Sequence, residues 1–260
     1  MIGVGECGGH LLWRMSTAKP AQTTSRRTRW ALAIEASNPS SGPVGVAGAL
    51  LDEAGGLGEI LEIQYEAGAR RSDGLMPAIE ALRGALGVRP DSLGLVCVSV
   101  GPGGYTGLRI SVTVGKSLAA ATGAGLVGVP SAAVALGDRG PESGCIVCLA
   151  SKGDATHATV FGSGFGSDLS ATGQPVGVIR AADVAGLIGP AVIADAFLPD
   201  SIRDACGACG KRIELPRFSA KRCLAIGYGM EVVDPASLVP VYAREPEAVR
   251  IWRDRHGQGA

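Results

Sequence analysis

The sequence predicts an α/β protein in two related halves. Apolar runs of strand length alternate with segments of helical spacing, in the order β-β-β-α-β-α-β followed by a similar set. The run 93–100 is continuously apolar, which is typical of a strand covered on both faces of a sheet. A glycine-rich turn follows this run and leads into a long helical pattern, so the chain contains a strand–turn–helix unit.

The first half is predicted to span residues 29–136. A helix over 74–86 is indicated by apolar residues at helical spacing, and Asp73 stands where a carboxylate can cap its free amides. A second helix follows the glycine-rich turn over 106–122, and a short one starts at Ser131. The strands predicted in this half are residues 30–35, 44–51, 59–67, 93–100 and 125–129.

A second, smaller lobe is predicted over residues 137–244. Its boundary is a stretch of Gly, Pro and charged residues at 137–144. Residues 1–28 are polar and lack periodicity, so we expect a disordered extension, and residues 245–260 form a basic tail. The elements predicted in the second lobe are strands over 145–151, 155–161 and 191–194 and helices over 181–188 and 219–232.

Charge, apolar runs and cysteine content exclude several classes of function. The 260 residues include 24 Lys and Arg against 24 Asp and Glu, so no broad basic field exists to hold nucleic acid by charge alone. We find no secretory signal and no run of the ~18 apolar residues that a membrane helix needs. Seven cysteines are too few for a dense disulfide framework in a chain of this length. These features predict a cytoplasmic protein that does not associate with membranes.

The glycine-rich turn does not match a nucleotide-binding motif. Gly101 and Gly103 fit the first two positions of the dinucleotide pattern, but Thr106 stands where the third glycine is needed. Gly115-Lys116-Ser117 imitates the end of a phosphate-binding loop without the glycine required before it. We therefore expect a tight structural corner, with Thr106 capping the helix that follows.

Candidate metal ligands are sparse. Cys145 and Cys148 form one CxxC pair and Cys206 and Cys209 another, and four thiolates can hold zinc. The first pair lies in a strand pattern, where residues three apart point to opposite faces, so buried free thiols are favoured. The three histidines include no pair at ligand spacing, and His157 lies in a strand pattern. No metal site is predicted.

Glu35 is the acidic residue placed as a nucleotide-site carboxylate would be, at the end of the first strand. Glu35 and Ser37 are therefore the candidate nucleotide contacts. The following turn contains Pro39 and Pro43, which remove two amide donors from a phosphate cradle. A structural role at the strand end is the alternative.

The segment 101–112, Gly-Pro-Gly-Gly-Tyr-Thr-Gly-Leu-Arg-Ile-Ser-Val, resembles the TsaB family pattern Gly-Pro-Gly-Ser-Phe-Thr-Gly-Leu-Arg-Ile-Gly. Further similar segments are 72–77, Gly-Leu-Val-Gly-Val-Pro-Ser at 125–131 and Pro-Val-Tyr-Ala-Arg at 240–244. The resemblance runs from about residue 30 to 249. It departs from the family at Glu35-Ala36, where the family has Asp-Thr or Asp-Ser, and at Arg71-Ser72, where it has His-Ser.

The resemblance implies an actin-like ATPase-type fold with two lobes, each a mixed sheet flanked by helices. It implies a non-catalytic subunit that docks on a TsaD transferase and supports threonylcarbamoyl transfer to tRNA adenosine 37. A TsaE-like ATPase subunit would join them, and tRNA would be contacted only through the complex. No cofactor is expected to be held firmly by this chain, although ATP and Mg²⁺ at the level of the complex stay open, as does self-pairing of the chain alone.

Two further alternatives stay open, an actin-like ATPase or kinase using Glu35 and a peptidase-like homologue. No catalytic residue is assigned. The helices of the first lobe are the expected docking elements, because the second one is apolar on two faces. The predicted partner-interface residues are Leu75, Ile79, Leu82, Leu108, Val112, Gly115, Leu118 and Ala119. The predicted structural-loop residues are Gly101, Pro102, Gly103, Gly104, Thr106, Gly107 and Arg109.

Overall fold

Two mixed five-stranded sheets form the frame of the chain. The computed structural model describes residues 28–38, 44–65, 74–139, 144–162, 173–244 and 247–256. The strands of the first sheet are β1 (Arg29–Glu35), β2 (Val44–Leu51), β3 (Leu61–Tyr65), β4 (Leu93–Gly101) and β5 (Gly125–Pro130). They lie in the order β3-β2-β1-β4-β5, with β1 antiparallel to β2 and parallel to β4.

The second sheet repeats this arrangement. Its strands are β6 (Cys145–Lys152), β7 (Ala155–Phe161), β8 (Gln174–Ile179), β9 (Ala191–Ala194) and β10 (Arg212–Glu214). They lie in the order β10-β9-β6-β7-β8, and β6 pairs antiparallel with β7 and parallel with β9. The first strand of each half is thus central in its sheet. The next two strands of that half form an antiparallel meander on one side of it. The last two strands lie on the other side and are parallel to the first.

Six α-helices surround the sheets within the described part of the chain. They are α1 (Leu75–Leu86), α2 (Tyr105–Thr122), α3 (Ser131–Ala135), α4 (Asp200–Ala208), α5 (Ala220–Tyr228) and α6 (Glu247–His256). Short 3-10 helices span Pro90–Ser92 and Ala181–Gly186. None of the helices in these described segments is long and apolar enough to cross a membrane.

Strand β1 divides the first half into a large-residue face and a small-residue face. Successive side chains of a strand point to opposite sides of its sheet. Leu32 and Ile34 lie in one buried cluster with apolar residues of α1 and α2. Ala31 and Ala33 lie in another cluster with residues of α5. The two faces of the sheet therefore receive different helices.

Helix α5 joins the two halves. It lies in the segment 137–244 that the sequence assigns to the second lobe, yet it packs on the first sheet. Its Cys223 and Leu224 share one buried cluster with α3 and with inward residues of both sheets, including Val147 of β6. The N-terminus of α5 is bound by Glu62 of β3, whose carboxylate accepts from the Ala220 amide at 2.6 Å. The interior between the sheets is thus a continuous apolar core.

The segment after α5, residues 231–244, crosses the outer side of the first sheet and is called the C-terminal strap below. Val233 forms an antiparallel bridge with Leu126 at the open edge of β5. Farther along, Lys116 of α2 donates through Nζ to the Leu238 carbonyl at 3.1 Å. A sheet edge covered in this way is protected from pairing with another chain.

The elements agree with the sequence prediction in the first half and less well in the second. The predicted helix over 181–188 is a 3-10 helix, and the predicted helix over 219–232 ends at Tyr228. Strands β8 and β10 and helix α4 were not predicted, because β8 contains Pro175 and Gly177, β10 has only three residues, and α4 carries few apolar positions. Within the segment predicted as a basic tail, residues 247–256 form α6. The predicted cap Asp73 and, except for Thr28, the predicted extension lie outside the described residues.

Candidate functional site

The glycine loop is fixed at its first residue by contacts with two other parts of the chain. Gly101 has a φ of +109°, a region that favours glycine. Its amide donates to the Ser131 hydroxyl at 3.0 Å. A Cβ on Gly101 would collide with the carbonyl oxygen of Val241 in the C-terminal strap. Glycine is therefore required here by both conformation and space.

The loop also contacts the end of β1. The amide of Gly104 donates to the Ser37 carbonyl at 2.5 Å. A Cβ on Gly103 would collide with the same carbonyl oxygen, so the two backbones approach as closely as glycine allows. Pro102 is buried and Gly107 is half-buried on the first turn of α2. The loop is thus a tight corner that joins β1, β4 and α2, as the sequence indicates.

The predicted capping role of Thr106 is wrong. Helix α2 begins one residue earlier, at Tyr105, and its N-cap is Gly104, for which no side-chain cap is formed. Thr106 is exposed within the first turn. The extended backbone of Gly104 and its bond to Ser37 set the start of the helix in place of a side-chain oxygen.

The structure brings the candidate nucleotide contacts Glu35 and Ser37 together. They form hydrogen bonds with each other. Glu35 Oε1 accepts from the Ser37 amide at 2.8 Å and from the Ser37 hydroxyl at 2.6 Å. Its other oxygen accepts from the Ser99 hydroxyl. The carboxyl group is almost fully buried, at 1% exposure. Burial raises the pKa of Glu35 above its ordinary value, and the bonds from the two serines oppose this shift.

These residues do not fit a phosphate or a hydrated magnesium ion. Both oxygens of Glu35 are already used by hydroxyl and amide donors, and a Mg²⁺ site keeps several waters around an accessible carboxylate. The close approach of Gly103 to the Ser37 carbonyl leaves no room for a ligand between these two backbones. The turn itself, residues 39–43, lies outside the described residues. We therefore derive no chemical step through a nucleotide at Glu35.

Most of the predicted partner-interface residues are part of the internal core of the first half. Seven of them are buried: Leu75, Ile79, Leu82, Leu108, Val112, Gly115 and Ala119. Leu118 is half-buried and packs against the same cluster. A Cβ on Gly115 would lie 2.6 Å from Val98 Cγ1, so this small residue allows α2 to approach β4. The opposite faces of α1 and α2 are accessible, and Met76 and Ile110 are each 46% exposed there.

Arg109 takes part in an aromatic stack that sequence reasoning did not find. Its guanidinium carbon lies 3.9 Å from the centre of the Tyr105 ring, one helical turn away. Its Nε donates to the Tyr242 hydroxyl at 2.9 Å. The rings of Tyr105 and Tyr242 lie 5.1 Å apart. The signal in the sequence was the Pro-Val-Tyr-Ala-Arg segment, but nothing in its local pattern indicates contact with a helix 133 positions away.

The cysteines lie where strand alternation predicts them. Cys145 belongs to the cluster between the sheets, and Cys148 belongs to the cluster on the other face of β6, together with Cys206. Burial raises the pKa of the Cys97 and Cys148 thiols to about 12, so both stay protonated at neutral pH. Within the described segments, no group of three or more His, Cys, Asp or Glu side chains is placed to hold a metal ion.

Comparison with known proteins supports the resemblance found in the sequence. The family model for TsaD, tRNA N6-adenosine threonylcarbamoyltransferase, matches residues 65–164, which include α1, the glycine loop and α2. YeaZ from Pseudomonas aeruginosa has a similar structure, with a TM-score of 0.58 and 18% sequence identity over 82% of this chain and 99% of that one. The chain is thus similar to the TsaD family over residues 65–164 and to YeaZ in its fold.

A second structure leads to the same fold. It is a protein described as similar to the peptidase YeaZ from Pseudomonas aeruginosa, with a TM-score of 0.59 and 18% identity over 83% of this chain and 100% of that one. A comparison with curated proteins finds no significant match. At this identity the solved structures establish the fold alone. The two sheets repeat one strand order, and the chain has an actin-like fold.

Proposed function

We propose that this chain is a non-catalytic subunit that docks on a TsaD-like transferase and supports threonylcarbamoyl transfer to tRNA adenosine 37. A TsaE-like ATPase subunit completes the complex, and tRNA is contacted only through it. A role related to tRNA modification is supported by the match to the TsaD family model together with the TsaB-like fold.

The observation that carries the proposal is the two-sided character of α1 and α2. Their inner faces are buried against β1, β2 and β4, while their outer faces expose large apolar side chains, Met76 and Ile110. A contiguous apolar patch rimmed by polar residues is typical of a surface that binds another protein, and Met76 and Ile110 are the residues proposed to contribute to such a patch. Both helices lie within the matched residues 65–164.

The non-catalytic assignment rests on Glu35. In this fold an acidic residue at the end of the first strand is the natural partner of a nucleotide-bound cation, but the Glu35 oxygens are bound by Ser37 and Ser99. The group is also buried away from solvent. An ATPase or kinase activity of the isolated chain would require this network to open, and the geometry favours its structural role.

Reconstitution with purified subunits tests the proposal. Modified adenosine in tRNA is measured by mass spectrometry after digestion, for the chain alone, for the TsaD-like and ATPase subunits alone, and for all three. We expect product only with all three. The double variant Met76→Asp with Ile110→Asp should abolish product and binding to the TsaD-like subunit while its thermal unfolding stays unchanged, because both side chains are exposed.

The matched control is Val176→Asp with Val178→Asp, since these valines on β8 are exposed to a similar extent in the other half. The control variant should support full product formation. Transfer by the isolated chain, or full activity of the Met76 and Ile110 variant, would contradict the proposal.

A further inference from the structure

The stack of Tyr105, Arg109 and Tyr242 is a preformed surface at the N-terminal end of α2. Arg109 is exposed but held from two sides, by the Tyr105 ring at 3.9 Å and by the Tyr242 hydroxyl at 2.9 Å. Among the described residues no carboxylate forms an ion pair with it. A guanidinium is planar, and a hydrogen bond through Nε fixes the direction of its two terminal N–H groups, which suits bidentate binding of an anion.

The C-terminal strap holds this stack in place. The amide of Val241 donates to the Val100 carbonyl at 2.6 Å, directly before the glycine loop. Two residues beyond Tyr242, Arg244 donates to the carbonyls of Lys152 and Ala155, at 2.9 Å and 2.6 Å, in the β6–β7 hairpin. Tyr242 is therefore anchored on both sides, to the first half before it and to the second half after it.

We infer that this stack is a docking site for an acidic side chain of the partner protein, and the inference rests on the function proposed above. Tyr and Arg are the residue types that most often dominate the energy of protein interfaces. The site is continuous with the exposed face of α2, because Ile110 follows Arg109 directly. Ile110 can contact an apolar part of the partner, and Arg109 beside it can bind an Asp or Glu at the rim of that apolar surface.

A protein carboxylate is favoured over an RNA phosphate by the charge of the whole chain. Lys and Arg together equal Asp and Glu at 24 each, so the chain has no net positive charge that would attract phosphates over its whole surface. A single guanidinium held between tyrosines binds best to an anion in one orientation. A carboxylate at a fixed position on a folded protein can meet this requirement. The RNA alternative is tested directly by the experiment below.

Binding of the full-length chain to the purified TsaD-like subunit is measured by calorimetry at low and high salt. Arg109→Ala is expected to raise Kd by about tenfold or more, because the partner carboxylate loses its charged hydrogen bonds. Arg109→Lys should weaken binding nearly as much, since an ammonium cannot bind in the bidentate manner. Tyr242→Phe removes only the hydroxyl that orients Arg109 and should raise Kd by roughly threefold. The salt dependence of Kd should decrease in Arg109→Ala and change little in Arg109→Lys, which keeps the positive charge.

Arg212→Ala is the control, because Arg212 is an exposed arginine on β10 in the other half of the chain. It should leave Kd within about twofold of the wild-type value. If Arg109→Ala alters thermal unfolding, Arg109→Lys and Tyr242→Phe decide the result, as both keep the stacked volume. Wild-type binding that none of these variants weakens would overturn this inference and leave the proposed function intact.

Two other outcomes separate the alternatives. No binding of the wild-type chain to the TsaD-like subunit would overturn the proposed function and this inference together. If Arg109→Ala weakens binding of the chain to purified tRNA in a filter assay and leaves the protein complex unaffected, the site belongs to RNA and the inference is wrong.

Discussion

At the scale of single residues, Glu35 decides how the polar end of β1 is used. The carboxyl group is enclosed by Ser37, Ser99 and the thiol of Cys223, whose sulfur lies 3.7 Å from the Ser99 hydroxyl oxygen. A buried carboxyl group with bonded hydroxyls orders its neighbours, and here the neighbour Ser37 binds the glycine loop. Glu35 therefore positions the start of α2 through Ser37.

The raised pKa of Glu35 predicts a pH-dependent stability. A carboxyl group whose pKa is raised on folding contributes stability below its ordinary value of 4.5, and this contribution is lost as pH rises through the raised value. We expect wild-type stability relative to Glu35→Gln to increase as pH falls from about 8 towards 5. Urea unfolding at several pH values measures this difference. A difference that is constant with pH, or the same trend in the exposed control Glu231→Gln, would contradict the assignment.

Sequence reasoning found Glu35 and Ser37 but not the residues that complete their network. The end of an apolar strand and the polar turn after it are local signals. Ser99 and Cys223 lie 64 and 188 positions from Glu35, and only the parallel pairing of β1 with β4 and the packing of α5 bring them there. The same limit explains why Tyr242 was missed beside Arg109. Local patterns identify which residues are unusual, and the topology determines which of them meet.

At the scale of elements, the faces of α1 and α2 could be predicted only in part. The periodic apolar residues were recognised correctly, but periodicity alone does not tell whether a sheet or a partner covers them. The alternation of β1 answers this question for the inner faces, because Leu32 and Ile34 pack against them. The partner surface proposed above therefore consists of fewer apolar residues, which lie on the outer faces of the two helices.

The attachment of α5 to β3 gives a prediction at this scale. Glu62 accepts from the Ala220 and Lys221 amides and from the hydroxyl of Ser219, which is the N-cap residue of α5. A carboxylate at this position satisfies free amides and interacts favourably with the helix dipole. Glu62→Ala should lower the free energy of unfolding by about 1–2 kcal/mol in urea denaturation.

Two comparisons isolate this effect. The exposed Glu59→Ala should change stability by less than about 0.5 kcal/mol. Ser219→Ala combined with Glu62→Ala should cost less than the sum of the single variants, since both residues serve the same helix end. Additive losses would indicate that Glu62 acts independently of the α5 N-terminus.

At the scale of the whole molecule, the small-residue face of the first sheet explains an alanine-rich core. Helix α5 packs on the small side chains of four alanines of β1 and β2, which are Ala31, Ala33, Ala47 and Ala49. With little side-chain volume on the sheet, the helix approaches closely and brings β6 and β9 into the same cluster. The two halves are therefore held by one shared interior together with the C-terminal strap, and we expect them to unfold in a single transition.

Gly227 of α5 gives the sharpest test of this shared interior. A Cβ at this position would lie 2.6 Å from Cys97 Sγ and 2.9 Å from Val129 Cγ2, so Gly227→Ala must push α5 away from the sheet. We expect a loss of about 1–3 kcal/mol in the free energy of unfolding, measured by urea denaturation. Gly207→Ala is the matched control. This glycine is also helical, but a Cβ added to it would meet no atom within 4 Å, so the variant should gain up to about 1 kcal/mol in the free energy of unfolding.

If the two variants shift stability in the same direction, close packing of α5 is not what limits residue size at position 227. If Gly227→Ala instead splits the unfolding curve into two steps, the contact between α5 and the first sheet is what makes the halves cooperative.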